Sequence, residues 1–381
     1  GLKGVKRGTI KKLRVVALDF RAAPVGNTNS RGEAGGSHNS TPVSCGNATW
    51  DPKIILGEAK VYADGSAMFK APANTPVYFQ CVDEKGQVAA TMRSWSTLMP
   101  GETFGCVGCH EDKYATPPTS RTTLAMQHGA QELEPFYDVR GGFRFTKEVQ
   151  PILDRHCIGC HDGIQKKDDR VLMELTGRTL SAKPSMRKWP ISYLNLTGTD
   201  VANKRMEGAD DREILNWVSS QSRPEMLPPY HRGSATSKIV DMIRGGHGKT
   251  KLSREELDKF CAWIDLAVPL CGDYVELNDW SDGDFDRYIR YQRKRERLAS
   301  EIRRNTEALY EKQTGAPLNL ADPSPRYLDY IEARRAADAP GEISLFDGKT
   351  LGRWTPIEFY GQDSAFVWNE MLCIQMGGGL Q

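Results

Sequence analysis

Two five-residue stretches carry residue types whose spacing suggests one chemistry: Cys106-Val107-Gly108-Cys109-His110 and Cys157-Ile158-Gly159-Cys160-His161. In each, two thiols three positions apart can reach the two vinyl groups of one porphyrin, and the His that follows can then lie under the iron. The chain has 9 Cys and 7 His. At that abundance the spacing arises by chance on the order of 0.01 times per chain, so two copies point to two covalently held c-type haems. A zinc knuckle or a redox dithiol could use the same thiols, and haem is the preferred reading.

What such an iron does depends on its second axial ligand. Two strong ligands close it and leave electron transfer; one ligand leaves a position where a small molecule can bind and react. For the downstream motif His161 is the expected proximal ligand. The distal candidates are His247, Met226 and His231, or no residue at all, with His247 preferred. His156 directly precedes Cys157 and cannot easily reach the far face. For the upstream motif no Met or His is well placed as a sixth ligand. Tyr114 stands four residues after His110, on the same face if the stretch is helical, and a phenolate is a known haem ligand. The residues by themselves favour His110 on the iron and Tyr114 as a packing residue.

These motifs need a scaffold. A length of 381 residues allows two or three domains. The composition, 39% hydrophobic and 26% charged, is that of a globular chain. A formal charge of +2 gives no reason to expect nucleic acid or a membrane surface as a partner. No apolar run approaches the ~20 residues of a membrane helix; the longest, Phe260 to Leu270, contains Asp265. The chain starts without Met and stops inside a glycine-rich run, so it reads as a fragment. Haem c is attached outside the cytoplasmic membrane, which implies a periplasmic or otherwise extracytoplasmic location and an oxidising surrounding. Cys261 and Cys271 could pair there or could pack as small apolar residues. Cys45 and Cys81 read as packing residues.

Four regions emerge, making a multi-domain α+β chain. Residues 1–140 read as a small β-rich module, with strands at Leu13–Leu18, Ile54–Val61, Ala67–Phe69, Pro76–Val82 and Gln87–Met92 separated by Asp-Gly-type turns. Residues 141–278 read as an all-α cytochrome c domain. A helix over Thr146–Arg155, with Pro151 in its early turns, delivers the downstream motif. Further helices are expected at Ile214–Ser219 after a capping-box-like Asp210-x-x-Glu213, at Lys238–Arg244 before Gly245-Gly246, and after Ser253-x-x-Glu256. Residues 279–338 are charged and helix-forming. Tyr291, Leu298, Ile302 and Leu309 give one apolar stripe by which this linker helix would dock. Residues 339–381 open a truncated β-sandwich.

Asp64-Gly65-Ser66-Ala67-Met68-Phe69, Pro76-Val77-Tyr78-Phe79-Gln80, Met92-Arg93-Ser94-Trp95 and Pro100-Gly101-Glu102-Thr103, leading into Cys-Val-Gly-Cys-His-Glu, resemble the middle domain of the hydrazine synthase alpha-subunit family, found in planctomycete and related bacteria. The resemblance spans roughly residues 1–275. It implies a c-type cytochrome domain after the middle domain. It also implies that Tyr114 of the Cys-x-x-Cys-His-x-x-x-Tyr stretch is the axial ligand of the first haem, while His110 binds zinc. For the second haem it implies two His ligands, which suits His161 and His247. The other zinc ligands are not placed by the motif; His38 and Cys45 are weak candidates. Two departures stand out. The β-propeller of the family is absent from this chain. The tail, Leu345-Phe346-Asp347-Gly348-Lys349-Thr350-Leu351 with Trp354, resembles the start of a 3-keto-disaccharide hydrolase domain, which would bring a carbohydrate partner.

Three functions follow as expectations. The first is a haem-dependent oxidoreductase whose first haem, with Tyr114 as catalytic ligand, takes a small-molecule substrate. Its second haem would exchange electrons with a redox partner protein. The second is a plain dihaem electron carrier. The third is a scaffold attached to a sugar-active domain.

Overall fold

The computed structural model describes residues 2–19, 52–106, 122–182, 187–198, 214–218, 227–273, 276, 282–318 and 320, together with short strands between 356 and 380. Residues up to Leu320 form one compact unit, and Ala321–Gln381 form a second.

The first unit starts with an antiparallel sheet. Its strands are β1 (Ile10–Leu18), β2 (Lys53–Lys60), β3 (Pro76–Asp83), β4 (Val88–Thr91) and the short β5 (Ser96–Thr97). The order is β2-β1-β3-β4, with β5 also on β3. β1 is central, and its Val15-Val16-Ala17 run is buried, as suits a strand flanked on both sides. Across this row Arg14 stands in register with Glu58 on β2 and Gln80 on β3. Arg14 is buried; its Nε donates to Glu58 at 3.0 Å and its guanidinium lies 4.5 Å from the centre of the Phe136 ring, while Nη1 has no hydrogen-bond partner among the described residues. The expected strand at Ala67–Phe69 amounts to one bridge, Phe69 to Gln131.

The helical part follows: α1 (Leu124–His128), α2 (Gln150–His156), the hairpins β6–β7 (Lys166–Lys167, Arg170–Val171) and β8–β9 (Thr179–Ala182, Arg187–Pro190), α3 (Ile191–Thr197), α4 (Lys238–Arg244), α5 (Arg254–Asp265) and the 33-residue α6 (Asp282–Thr314). A wide turn, Phe145–Val149, precedes α2, so the helix proper starts at Gln150 with Pro151 in its first turn. There the missing proline N–H costs nothing. The helix expected at Ile214–Ser219 is not seen over 214–218. Its backbone is bonded elsewhere: the Asn216 N–H donates to Ser237 Oγ, and Asn216 and Ile214 carbonyls accept from Gly233 and Ile239.

Sheet and helices share one core. Val16, Ile55 and Tyr78 cluster with Phe145, Leu153, Tyr193, Trp263 and Cys271. At its centre the rings of Phe145, Tyr193 and Trp263 lie 5.1–6.2 Å apart, each burying about 1.5–3 kcal/mol of side chain. A Cβ on Gly142 would come within 1.8 Å of the Gly272 carbonyl oxygen, so the two chain segments meet at a distance only glycine permits. Cys261 and Cys271 are both buried as thiols, the Cys271 thiol donating to the Glu276 carbonyl, and the pairing considered above is not formed. α6 docks through Tyr288 and Ile289 near its start, whereas Leu298, Ile302 and Leu309 on the anticipated stripe are exposed. Arg295 reaches back to Asp19.

In the second unit two antiparallel pairs are described: β10 (Pro356–Ile357) with β13 (Gly379–Leu380), and β11 (Ala365–Trp368) with β12 (Met371–Ile374). Among the described residues no helix is long and apolar enough to cross a membrane.

Candidate haem site

α2 carries the downstream motif on its C-terminal end. Its hydrogen bonding runs on through the motif, with the Cys157 N–H on the Leu153 carbonyl at 2.8 Å and the His161 N–H on the Cys157 carbonyl at 2.9 Å. Both thiols and the imidazole are thereby held on one coiled stretch. Cys157 is half-buried and Cys160 exposed. Burial pushes the Cys157 thiol up to about 11, so it is a neutral thiol at neutral pH and not a ready thiolate ligand. The chain leaving the motif is also fixed: Asp162 accepts from the Ile164 and Gln165 N–H groups, and the Gln165 side chain donates to the Gly159 carbonyl.

The His161 ring is anchored on one side. Its Nδ1 lies 2.9 Å from the Met173 carbonyl oxygen, a contact that requires the proton on Nδ1. In the neutral ring the lone pair then sits on Nε2, the tautomer of a metal-ligating histidine. Near it stands His247, its ring centroid 6.2 Å from that of His161 and tilted by 38°. Metal–imidazole bonds are about 2.0–2.1 Å and a ring nitrogen lies roughly 1.1 Å from its ring centre, so two axial imidazoles across one metal stand about 6 Å apart. Among the described residues no three His, Cys, Asp or Glu side chains gather as a bare ion would require. A porphyrin brings four nitrogens of its own and asks the protein for axial donors. The residues present therefore fit a haem.

His247 arrives on the turn His247–Lys249 that follows α4, with Gly246 and Gly248 both left-handed at φ 76° and 60°. That turn is tied to the motif. Thr250 Oγ1 is 3.4 Å from the His156 carbonyl oxygen. Ser253 and Glu256 close a reciprocal capping box at the start of α5. Glu256 Oε1 also accepts from Arg155 at 2.9 Å and lies 3.0 Å from His156 Nε2. Burial alone would raise the Glu256 carboxyl, but the Ser253 N–H, His156, the Ser253 hydroxyl and Arg155 outweigh it and hold the group at about 2.

The remaining candidates fall elsewhere. His231 lines a surface cleft with Arg93, Leu227 and Asp265, apart from the imidazole pair. Met226, Cys109, His110, Tyr114, His38 and Cys45 lie outside the described residues; Cys106 is described and exposed. Sequence reasoning missed the Met173 carbonyl, which has no side-chain signature. It also missed the second use of Glu256, which depends on a contact across 100 positions.

Residues 8–111 match the family model described as the hydrazine synthase alpha subunit middle domain. A curated relative, hydrazine synthase subunit alpha of Kuenenia stuttgartiensis, is 29% identical over 213 positions, covering 42% of this chain and 26% of that protein. A solved structure of Kuenenia stuttgartiensis hydrazine synthase aligns over 70% of this chain and 40% of its own, with 18% identity and a TM-score of 0.42. The chain thus spans about a quarter of the curated relative's length. Residues 8–111, which hold β1 to β5 and reach His110, are similar to the hydrazine synthase alpha subunit middle domain.

Proposed function

We propose that this chain is an extracytoplasmic dihaem c-type redox protein, related in its first part to hydrazine synthase alpha. Cys157 and Cys160 would hold the second haem by thioethers, with His161 and His247 as its axial donors. Cys106 and Cys109 would hold the first. The observation that carries the reading is the imidazole pair at 6.2 Å, one ring fixed through Nδ1. When bound, a haem supplies one-electron chemistry. The protein's part at the second site is to present Nε2 of His161, set by the Met173 carbonyl, and to close the other side with His247. At the first site Tyr114 would be the axial phenolate, leaving one face for a small nitrogen species or oxygen, with His110 freed for zinc. A redox partner protein would exchange electrons with the second site. The second unit would bring carbohydrate contact.

The test is His247→Ala in the holoprotein. The expected result is that one of two low-spin or high-spin components, the low-spin bis-imidazole one, becomes high-spin in the ferric absorption and paramagnetic resonance spectra. An unchanged spectrum would move the assignment to His231 or Met226.

A further inference from the structure

The two imidazoles of the pair are held very differently. His161 follows a helix, is half-buried, and has its second nitrogen on the Met173 carbonyl. His247 is exposed, and among the described residues its ring makes no hydrogen bond; its ring contact is with His161. A ligating histidine normally donates its other N–H to a fixed acceptor, and loss of that acceptor weakens the ligand about 10–100-fold. The chain around His247 is also loose by construction. Gly246, Gly248 and Lys249 all have left-handed backbones, and a Cβ on Gly246 would meet nothing within 4 Å. The loop's own bonds are local, Lys249 N–H to Gly246 and Thr250 N–H to His247. Its tie to the motif is the long Thr250 contact at 3.4 Å, near the limit of a hydrogen bond. By contrast both ends of the loop are firm, α4 closing on Gly245 and α5 opening on the Ser253 capping box.

We propose that His247 is a detachable ligand: its glycine-flanked turn swings away from the second haem while His161 stays, uncovering a binding position for a small uncharged ligand. This rests on the axial assignment proposed above. The exchange breaks one iron–nitrogen bond and forms one bond to the incoming ligand, with no electron transferred. The second haem would then be gated between electron transfer and ligand binding by the short turn between α4 and α5.

Carbon monoxide is the probe, mixed with dithionite-reduced holoprotein in a stopped-flow instrument. A permanently open iron gives a rate that rises linearly with carbon monoxide. A ligand that must first leave gives a rate that levels off at its departure rate. The expected result is a levelling phase assigned to the second haem, which His247→Ala converts to a linear one. Thr250→Ala should raise the plateau about two- to fivefold by removing the tie. A second haem that takes no carbon monoxide, while His247→Ala still turns it high-spin, overturns the gate and leaves the axial assignment standing. If His247→Ala changes neither spectrum nor rates, the axial assignment itself fails. An unaltered plateau in Thr250→Ala would remove the loop as the hinge.

Discussion

Glu256 shows how much one carboxylate can organise. It completes the cap of α5 and binds the two residues that precede the first thiol of the downstream motif. Its pKa, depressed from 4.5 to about 2, fixes the sign of its pH dependence. The stabilisation is fully present above the ordinary carboxylate range and is lost as pH falls from about 4.5 through about 2. Glu256→Gln keeps the cap geometry but not the charge. It should lower stability at neutral pH by about 1 kcal/mol, or roughly 2–4 °C in Tm, and flatten the acid limb of thermal unfolding. At the first motif the residue to test is Tyr114. A phenolate stabilises ferric iron and lowers the reduction potential, and a bound cation keeps it deprotonated well below its free pKa of ~10. Tyr114→Phe should raise the first haem's potential and change its ferric charge-transfer bands, with the second haem untouched. If His110 holds the iron instead, Tyr114→Phe is nearly silent and His110→Ala gives the large spectral change.

Among the elements, the junction of β4 with the end of α5 turns on Asp265. Its carboxylate accepts the Ser234 N–H and hydroxyl, each at 2.7 Å, and the Val88 N–H at 3.3 Å, while Gln80 donates to its carbonyl at 2.7 Å. Burial pushes the group up to about 6, against those hydrogen bonds and the nearby Arg14. A raised carboxyl holds its proton in the folded chain where the unfolded chain has lost it. This group therefore favours folding most at low pH and loses that contribution as pH rises from about 4 through about 6. Asp265→Asn cannot titrate, so its Tm relative to the parent should climb across that interval in a pH series. The helix starts and stops near the site were legible from local chemistry: Ser253 with Glu256, Gly245 after Arg244, Pro151 in the first turn of α2. The failure at Ile214 was not local. Its carboxyl-and-cap signal is outbid by Ser237 and Gly233, which take the Asn216 backbone from about twenty positions away. α3 and the β8–β9 hairpin gave no clear periodic signal because Tyr193, Leu194 and Trp189 are buried without regular spacing. For the site, the residue types and spacing offered His161 with His247, His231 and Met226; the approach of the His161 and His247 rings to 6.2 Å depends on the turn after α4, which no local pattern announces.

On the scale of the whole molecule, the function proposed above places one covalent haem on each motif. Cys157→Ser with Cys160→Ser should leave a chain that stains for haem after denaturing electrophoresis at about half the parent's intensity per mole. Complete loss of stain, or no loss, would contradict one haem per motif. The core that joins sheet and helices bears on how such a chain is made. Gln80 waits for Asp265, 185 positions later, and Phe145 packs on Trp263. Pairings this distant in sequence close late, after the loop entropy has been met. Cys157 packs against a core to which α5 contributes Phe260, Trp263 and Ile264, and α5 is made about a hundred positions after the residues that lead into that motif. The thiol at Cys157 therefore stays uncovered for as long as α5 is missing, and on the function proposed above that interval is when a porphyrin would be stitched on before the interior shuts.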